Sequence, residues 1–162
     1  AHVLGLRDLV RLRPAGREHH VMEPICLAYT VPGDDFTRAG EASSYVKQSL
    51  KKLGINPDIV RKIAIAMYEG ELNMVIHANG GNIDVEITPD AVLMKLQDQG
   101  PGISDIEQAM QEGFSTAPQH VRNLGFGAGM GLPNMRKNSD EMKIESIPGL
   151  GTTIFMKVYM PQ

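Results

Sequence analysis

The chain has no tryptophan and only one cysteine, Cys26. A lone thiol builds neither an intramolecular disulfide framework nor a multi-cysteine zinc site. The simplest setting for such a chain is a reduced, cytoplasmic one. No apolar run approaches the ~20 residues that a membrane span needs, so no membrane partner is expected. Strong charge of one sign is missing as well. Sixteen Lys and Arg face 19 Asp and Glu, for a formal net charge of -3 and a pI near 5.9. That balance lacks the electrostatic footprint of a nucleic-acid binder. The signature of disorder is absent too, since 42% of residues are hydrophobic and 22% charged, close to globular averages. No internal repeat is visible. What is present is 162 residues, enough for one domain with room for a tail.

The tail is residues 1–21. Four Arg (Arg7, Arg11, Arg13, Arg17) face Asp8 and Glu18 there, and Ser is absent. A mitochondrial presequence would be poor in acids and rich in Ser. The readings open for the stretch are a targeting peptide, an arm for a partner and a non-native extension; none gives it a function. The domain is expected over 22–162. ICLAYTV (25–31) is β-prone and bounded by prolines. Asp34 or Asp35 is expected to cap a helix running to Lys52, closed by Gly54. Asn56 and Pro57 open a second helix reaching about Ala78, where Asn79-Gly80-Gly81 ends it. NIDVEIT (82–88) and AVLMKLQ (91–97) read as a strand pair. Ser104, with Glu107 three residues on, predicts a capping box for a short helix over 104–110. A helix is expected from about Met130 to Asn138, then a closing hairpin of 141–147 and 152–160. This order predicts a two-layer α/β sandwich, with helices on one face of a mostly antiparallel sheet.

Three constellations carry chemistry. On the second helix, Glu69, Asn73 and His77 recur every four residues, drifting only ~40° per step, so they form one polar stripe. Ile63, Ala66, Met67, Gly70 and Met74 supply the apolar remainder. A carboxylate one turn before a carboxamide suits a Mg²⁺-nucleotide site: Asn offers the hard cation an oxygen without added charge, and Glu can serve as base. Glu71 lies ~200° from Glu69 around the helix and cannot join the stripe. Next, Asp98-Gln99-Gly100-Pro101-Gly102 follows a strand. A carboxylate there can accept from the 6-amino group of adenine and repel the guanine oxygen, and Gly100 and Gly102 permit close backbone approach. Finally, Gly125, Gly127, Gly129 and Gly131 alternate into the start of a helix, an arrangement that can present N–H groups to phosphate. It is not a Walker A loop, because no Gly-Lys-Ser/Thr ends it. It is not a Rossmann loop, because Met130 takes the third-glycine position. The protein-kinase motifs His-Arg-Asp and Asp-Phe-Gly are absent. Singly, the three also describe a solvated helix face, a turn and a flexible lid. Their order and their setting on helix, strand end and helix start argue for them jointly.

With those residues in place, the chain resembles the GHKL ATPase superfamily with its Bergerat fold. Within it, the resemblance is to bacterial anti-sigma-factor and switch serine/threonine protein kinases. YEGELNMVIHANGG (68–81), DQGPGISDIEQAMQEGFST (98–116), GFGAGMGLPNMRKNSDEMKIES (125–146) and GLGTT (149–153) carry it, over roughly residues 25–160. The resemblance implies ATP and Mg²⁺ as cofactors. It implies Glu69 as catalytic carboxylate, Asn73 as Mg²⁺ ligand and Asp98 as reader of adenine. Gly100 and Gly102 shape the Asp98 loop, Gly125 through Gly131 line the phosphates, and Thr153 supports the adenine pocket. His77 and Ile103 complete the expected nucleotide-binding set. Two departures stand out. Gln119 to Asn123 lengthen the lid, expected over 112–128, and Glu71 stands where a neutral residue is usual. For Glu71, a partner surface and a tolerated charge are the open readings; for Arg122, inside the lid, a solvated side chain and a reach to the γ-phosphate. The implied function is an ATP- and Mg²⁺-dependent serine/threonine kinase acting as a partner switch. Its partners would be a small regulatory protein bearing a Ser or Thr acceptor (anti-anti-sigma-like), a sigma factor or other output protein, and a second copy of the chain. The alternatives are an ATP-gated sequestering regulator with little catalysis and the ATP-binding domain of a histidine-kinase-like protein. The latter lacks a helical hairpin with an acceptor His; His19-His20 sits in a short basic stretch. A gyrase-, repair- or chaperone-type ATPase would need transducer domains not found here.

Overall fold

Alternating apolar residues in five short runs, and two amphipathic helices between the first two runs, set the architecture. The computed structural model describes residues 23–114 and 130–161. Strand β1 (Ile25–Pro32) is followed by helices α1 (Glu41–Lys52) and α2 (Pro57–His77), then by β2 (Gly80–Ile87) and β3 (Ala91–Gln97). After the short helix α3 (Ile106–Ala109) come α4 (Gly131–Lys137), β4 (Glu141–Ile147) and β5 (Gly151–Tyr159). The sheet order is β1-β2-β3-β5-β4, and every neighbouring pair is antiparallel. Inward residues of the strands, such as Ile83, Met94 and Met156, share one core with Val46, Ile63 and Met67 of the helices. This is the α/β sandwich that the element order predicts. Among the described residues, no helix is long and apolar enough to cross a membrane.

Residues 34–52 depart from the expected single helix. Asp35 caps only a 3-10 turn at Phe36–Arg38, its carboxylate accepting from the Thr37 N–H at 3.1 Å. Gly40 then takes φ +98°, a left-handed conformation that breaks a helix, so α1 starts afresh at Glu41. Its end is as expected. Gly54 at φ +72° donates to Lys51 O, and Ile55 N–H returns to Leu50 O, the paired bonds of a Schellman stop.

Helix α2 carries the site, and its start is local chemistry. Asn56 Oδ1 accepts from the Asp58 N–H at 2.9 Å, and Pro57 needs no partner for a missing N–H. Its buried face packs so closely on the sheet that a Cβ on Gly70 would run into Leu96. Farther on, Asp105 caps α3, accepting from the Gln108 N–H at 3.0 Å; the Ser104–Glu107 capping box does not form.

Candidate nucleotide site

The polar stripe of α2 meets α4. Gly131, the first residue of α4, lies so near that a Cβ there would sit 3.2 Å from Asn73 Oδ1 and 3.5 Å from Glu69 Oε2. One turn on, Asn134 donates its Nδ2–H to Glu69 Oε1 at 3.2 Å. Glu69 and Asn73 are both half-buried. Helix α4 is held in this place by Leu132 and Met135, both buried in the core.

The far end of the stripe meets the loop after β3. Asp98 Oδ1 accepts from the N–H of Gly100 at 2.9 Å and of Thr152 at 3.2 Å, while the Asp98 N–H donates to Thr152 O at 2.9 Å. Gly100 is pressed against the end of α2: a Cβ would lie 2.6 Å from Ala78 Cα. Gly102 has φ +78° and abuts the Ile147 carbonyl. The Ile103 N–H donates to Ser146 Oγ at 2.7 Å, and that hydroxyl bonds Thr152 Oγ1 at 2.9 Å. His77 completes the link between helix and loop. Its burial pushes the imidazole below the usual histidine range, and the field of Asp98 opposes that in part. One helix face thus joins Glu69, Asn73 and Gly131 at one end to His77, Asp98 and Gly100 at the other.

The structure differs from expectation at two residues. Thr153 pairs with Gln97 across β3–β5 and, by strand alternation, points to the sheet face away from the helices. Thr152 is the threonine against Asp98. The signal was its parity with Ile154, Met156 and Val158, all core residues. Glu71 is neither a partner surface nor a tolerated charge. It is 1% exposed. Its Oε2 accepts from the N–H of Gly40 at 3.0 Å and of Ala42 at 3.1 Å. Its Oε1 accepts from the Ser43 N–H at 3.0 Å and the Ser43 hydroxyl at 2.9 Å. Asn134 escaped the sequence reading, although it lies one helical turn after Gly131. Gly125, Gly127, Gly129, Arg122, the insertion at Gln119 to Asn123 and the tail 1–21 lie outside the described residues.

The donor set fits a magnesium nucleotide. Among the described residues, no three His, Cys, Asp or Glu cluster as a metal cage. Instead the Asn73 amide and the Glu69 carboxylate both border Gly131. A few hard oxygens suit Mg²⁺, which takes its remaining ligands from phosphates and water.

Residues 58–162 match the family described as "Histidine kinase-, DNA gyrase B-, and HSP90-like ATPase". The chain belongs to this ATPase family, and its nucleotide is ATP. Among curated relatives, it is 34% identical over 108 residues to the serine/threonine-protein kinase RsbT of Bacillus subtilis, covering 64% of this chain and 75% of that protein. It is 32% identical over 115 residues to the anti-sigma F factor of Bacillus subtilis, covering 67% of this chain and 75% of that protein. Solved structures add the fold. The SiaB–SiaC complex from Pseudomonas aeruginosa matches with TM-score 0.56 at 10% identity, over 82% of this chain and 88% of that one. The RsbU and RsbW domains of a Mycobacterium tuberculosis protein match with TM-score 0.55 at 16% identity, over 85% of this chain and 33% of that one.

Proposed function

We propose that this chain is an ATP-dependent serine/threonine protein kinase working as a partner switch, with a small regulatory protein as its acceptor. The carrying observation is that Glu69 and Asn73 lie side by side at Gly131, with one Glu69 oxygen held by Asn134. The names of the relatives RsbT and anti-sigma F factor support the same reading. Glu69 takes the proton of a Ser or Thr hydroxyl. The hydroxyl oxygen bonds to the γ-phosphorus as the bond from that phosphorus to the β,γ-bridging oxygen breaks, and ADP leaves with the electron pair. Asn73 Oδ1 would hold Mg²⁺, which would supply charge neutralisation to the phosphate oxygens. Asp98, with Oδ1 already engaged by two N–H groups, offers its second oxygen to the 6-amino group of adenine. His77, Gly100, Gly102, Ile103 and Thr152 shape that end of the site, and Gly125 through Gly131 border the phosphates.

The anti-sigma name of some relatives favours a second use of the same pocket: ATP-gated sequestering of a sigma factor or other output protein. One experiment separates the two. The partner is recovered by pull-down with ATP or ADP, and transfer of labelled γ-phosphate to it is followed by phosphosite mapping. Label on a Ser or Thr that vanishes with Glu69→Gln supports the kinase. No transfer, with partner affinity that differs between ATP and ADP, supports the sequestering module.

A further inference from the structure

We infer that Asn134 is a positioning residue for the base: it fixes the Glu69 carboxylate so that Oε2 takes the proton. This rests on the kinase reading above. The main chain of Asn134 is locked into α4, its N–H bonded to Met130 O at 2.9 Å and its carbonyl accepting the Asn138 side-chain amide at 2.8 Å. The helix beneath it is anchored by Leu132 and Met135. The side chain is therefore a short arm on a fixed mount. Its Nδ2–H occupies Glu69 Oε1, while Oε2 is the oxygen that borders Gly131, beside which the Asn73 amide also lies. An amide on one oxygen sets the rotation of the carboxylate and points the other toward the Gly131 side. Because α4 begins at Gly131, the same helix that ends the glycine-rich segment holds the base.

The test is ATP hydrolysis by the whole chain, with water as acceptor and labelled phosphate as the product. Asn134→Ala should lower kcat by about 10–100-fold, the scale of a misplaced catalytic group, with KM for ATP and calorimetric ATP affinity changed less than about threefold. In a Glu69→Gln background, the same substitution should cost nothing more, because both changes disable one device. A structural role alone would lower thermal stability, raise KM and add its loss to that of Glu69→Gln. Asn134→Asp reads the contact without nucleotide. Two carboxylates then face each other, the melting temperature falls, and Glu69→Gln should restore it by giving the introduced carboxylate an amide donor. If Glu69→Gln abolishes hydrolysis while Asn134→Ala keeps the wild-type kcat, or the losses add, the inference fails and the kinase reading stands. If Glu69→Gln hydrolyses ATP at the wild-type rate, both fail.

Discussion

Glu69 and Glu71 stand two residues apart on α2 and live on opposite sides of it. Glu71 faces α1, where two backbone N–H groups meet one oxygen and the Ser43 N–H and hydroxyl meet the other. Its acceptors are filled, and it sits at the positive end of a helix dipole. Glu69 faces α4, is half-buried, and takes one side-chain hydrogen bond from Asn134. The same side chain is an anchor where its lone pairs are all spoken for and, on the reading proposed here, a reagent where one oxygen has no partner among the described residues. Burial and partner count, not residue type, separate these two glutamates of one helix.

The sharpest break of that comparison is in turnover. Glu69→Gln keeps size and an oxygen for Asn134 but removes the proposed base. Phosphoryl transfer should fall by about 10²–10⁴-fold, with the urea midpoint and ATP affinity nearly unchanged. A variant that transfers at the wild-type rate would remove Glu69 from the chemistry. Glu71→Ala should do the reverse. It strands the N–H groups of Gly40, Ala42 and Ser43, each costing about 1–3 kcal/mol when buried without an acceptor. Partial relaxation of the N-terminal turn of α1 brings the expected loss to about 3 kcal/mol of unfolding free energy. Specific activity of the folded fraction should stay within a few-fold. A urea midpoint equal to the wild type would mean that Glu71 does not anchor α1.

This contrast also marks what could be read in advance. The Glu69–Asn73–His77 stripe was legible because helical spacing alone puts the three on one face. The strands were legible because alternation and turn residues bound each run. The role of Glu71 was not, since its partners are three main-chain N–H groups and one hydroxyl about 30 positions earlier, a contact that depends on how α1 docks on α2. Gly40 held the missed clue: a glycine inside an otherwise helical pattern marks a break, and with that break α1 needs an outside acceptor at its start. Thr152 and Thr153 show the same limit at single-residue scale. Composition favours neither, and the alternation along β5 that sends Ile154, Met156 and Val158 into the core is what puts Thr152, not Thr153, against Asp98.

A smaller effect sharpens the comparison at the other end of the stripe. Asp98 resembles Glu71 in one oxygen, which takes the Gly100 and Thr152 N–H groups. On the reading proposed here it resembles Glu69 in the other, left for adenine. Asp98→Asn separates the two halves. The amide oxygen keeps the two N–H contacts, so thermal stability should hold. The amide nitrogen presents a donor to the 6-amino group, so ATP affinity should drop by roughly 1–3 kcal/mol. Discrimination between ATP and GTP should shrink. Calorimetry with both nucleotides checks this, and equal wild-type affinities for ATP and GTP would sink the adenine assignment.

The smallest expected effect concerns His77, the last residue of the stripe. Burial favours its neutral form and holds its folded pKa below the usual histidine value, with Asp98 pulling it partly back. The sign follows from proton counting. As pH falls through the ordinary histidine value of about 6.5, the unfolded chain binds a proton that the folded chain resists. Stability from this residue is therefore complete above that value and declines below it, until the folded imidazole also protonates. Urea midpoints at about pH 8 and about pH 5.5, on either side of that value, should fall more for the wild type than for His77→Gln, which cannot titrate. Asp98→Asn removes the opposing field, so the wild-type slope should steepen in that background. Glu71→Gln, on the far side of α2, should leave the His77-dependent part of the slope alone. Equal slopes for wild type and His77→Gln would show that the imidazole is solvated in the folded chain, and that the stripe ends at Asn73 rather than at the Asp98 loop.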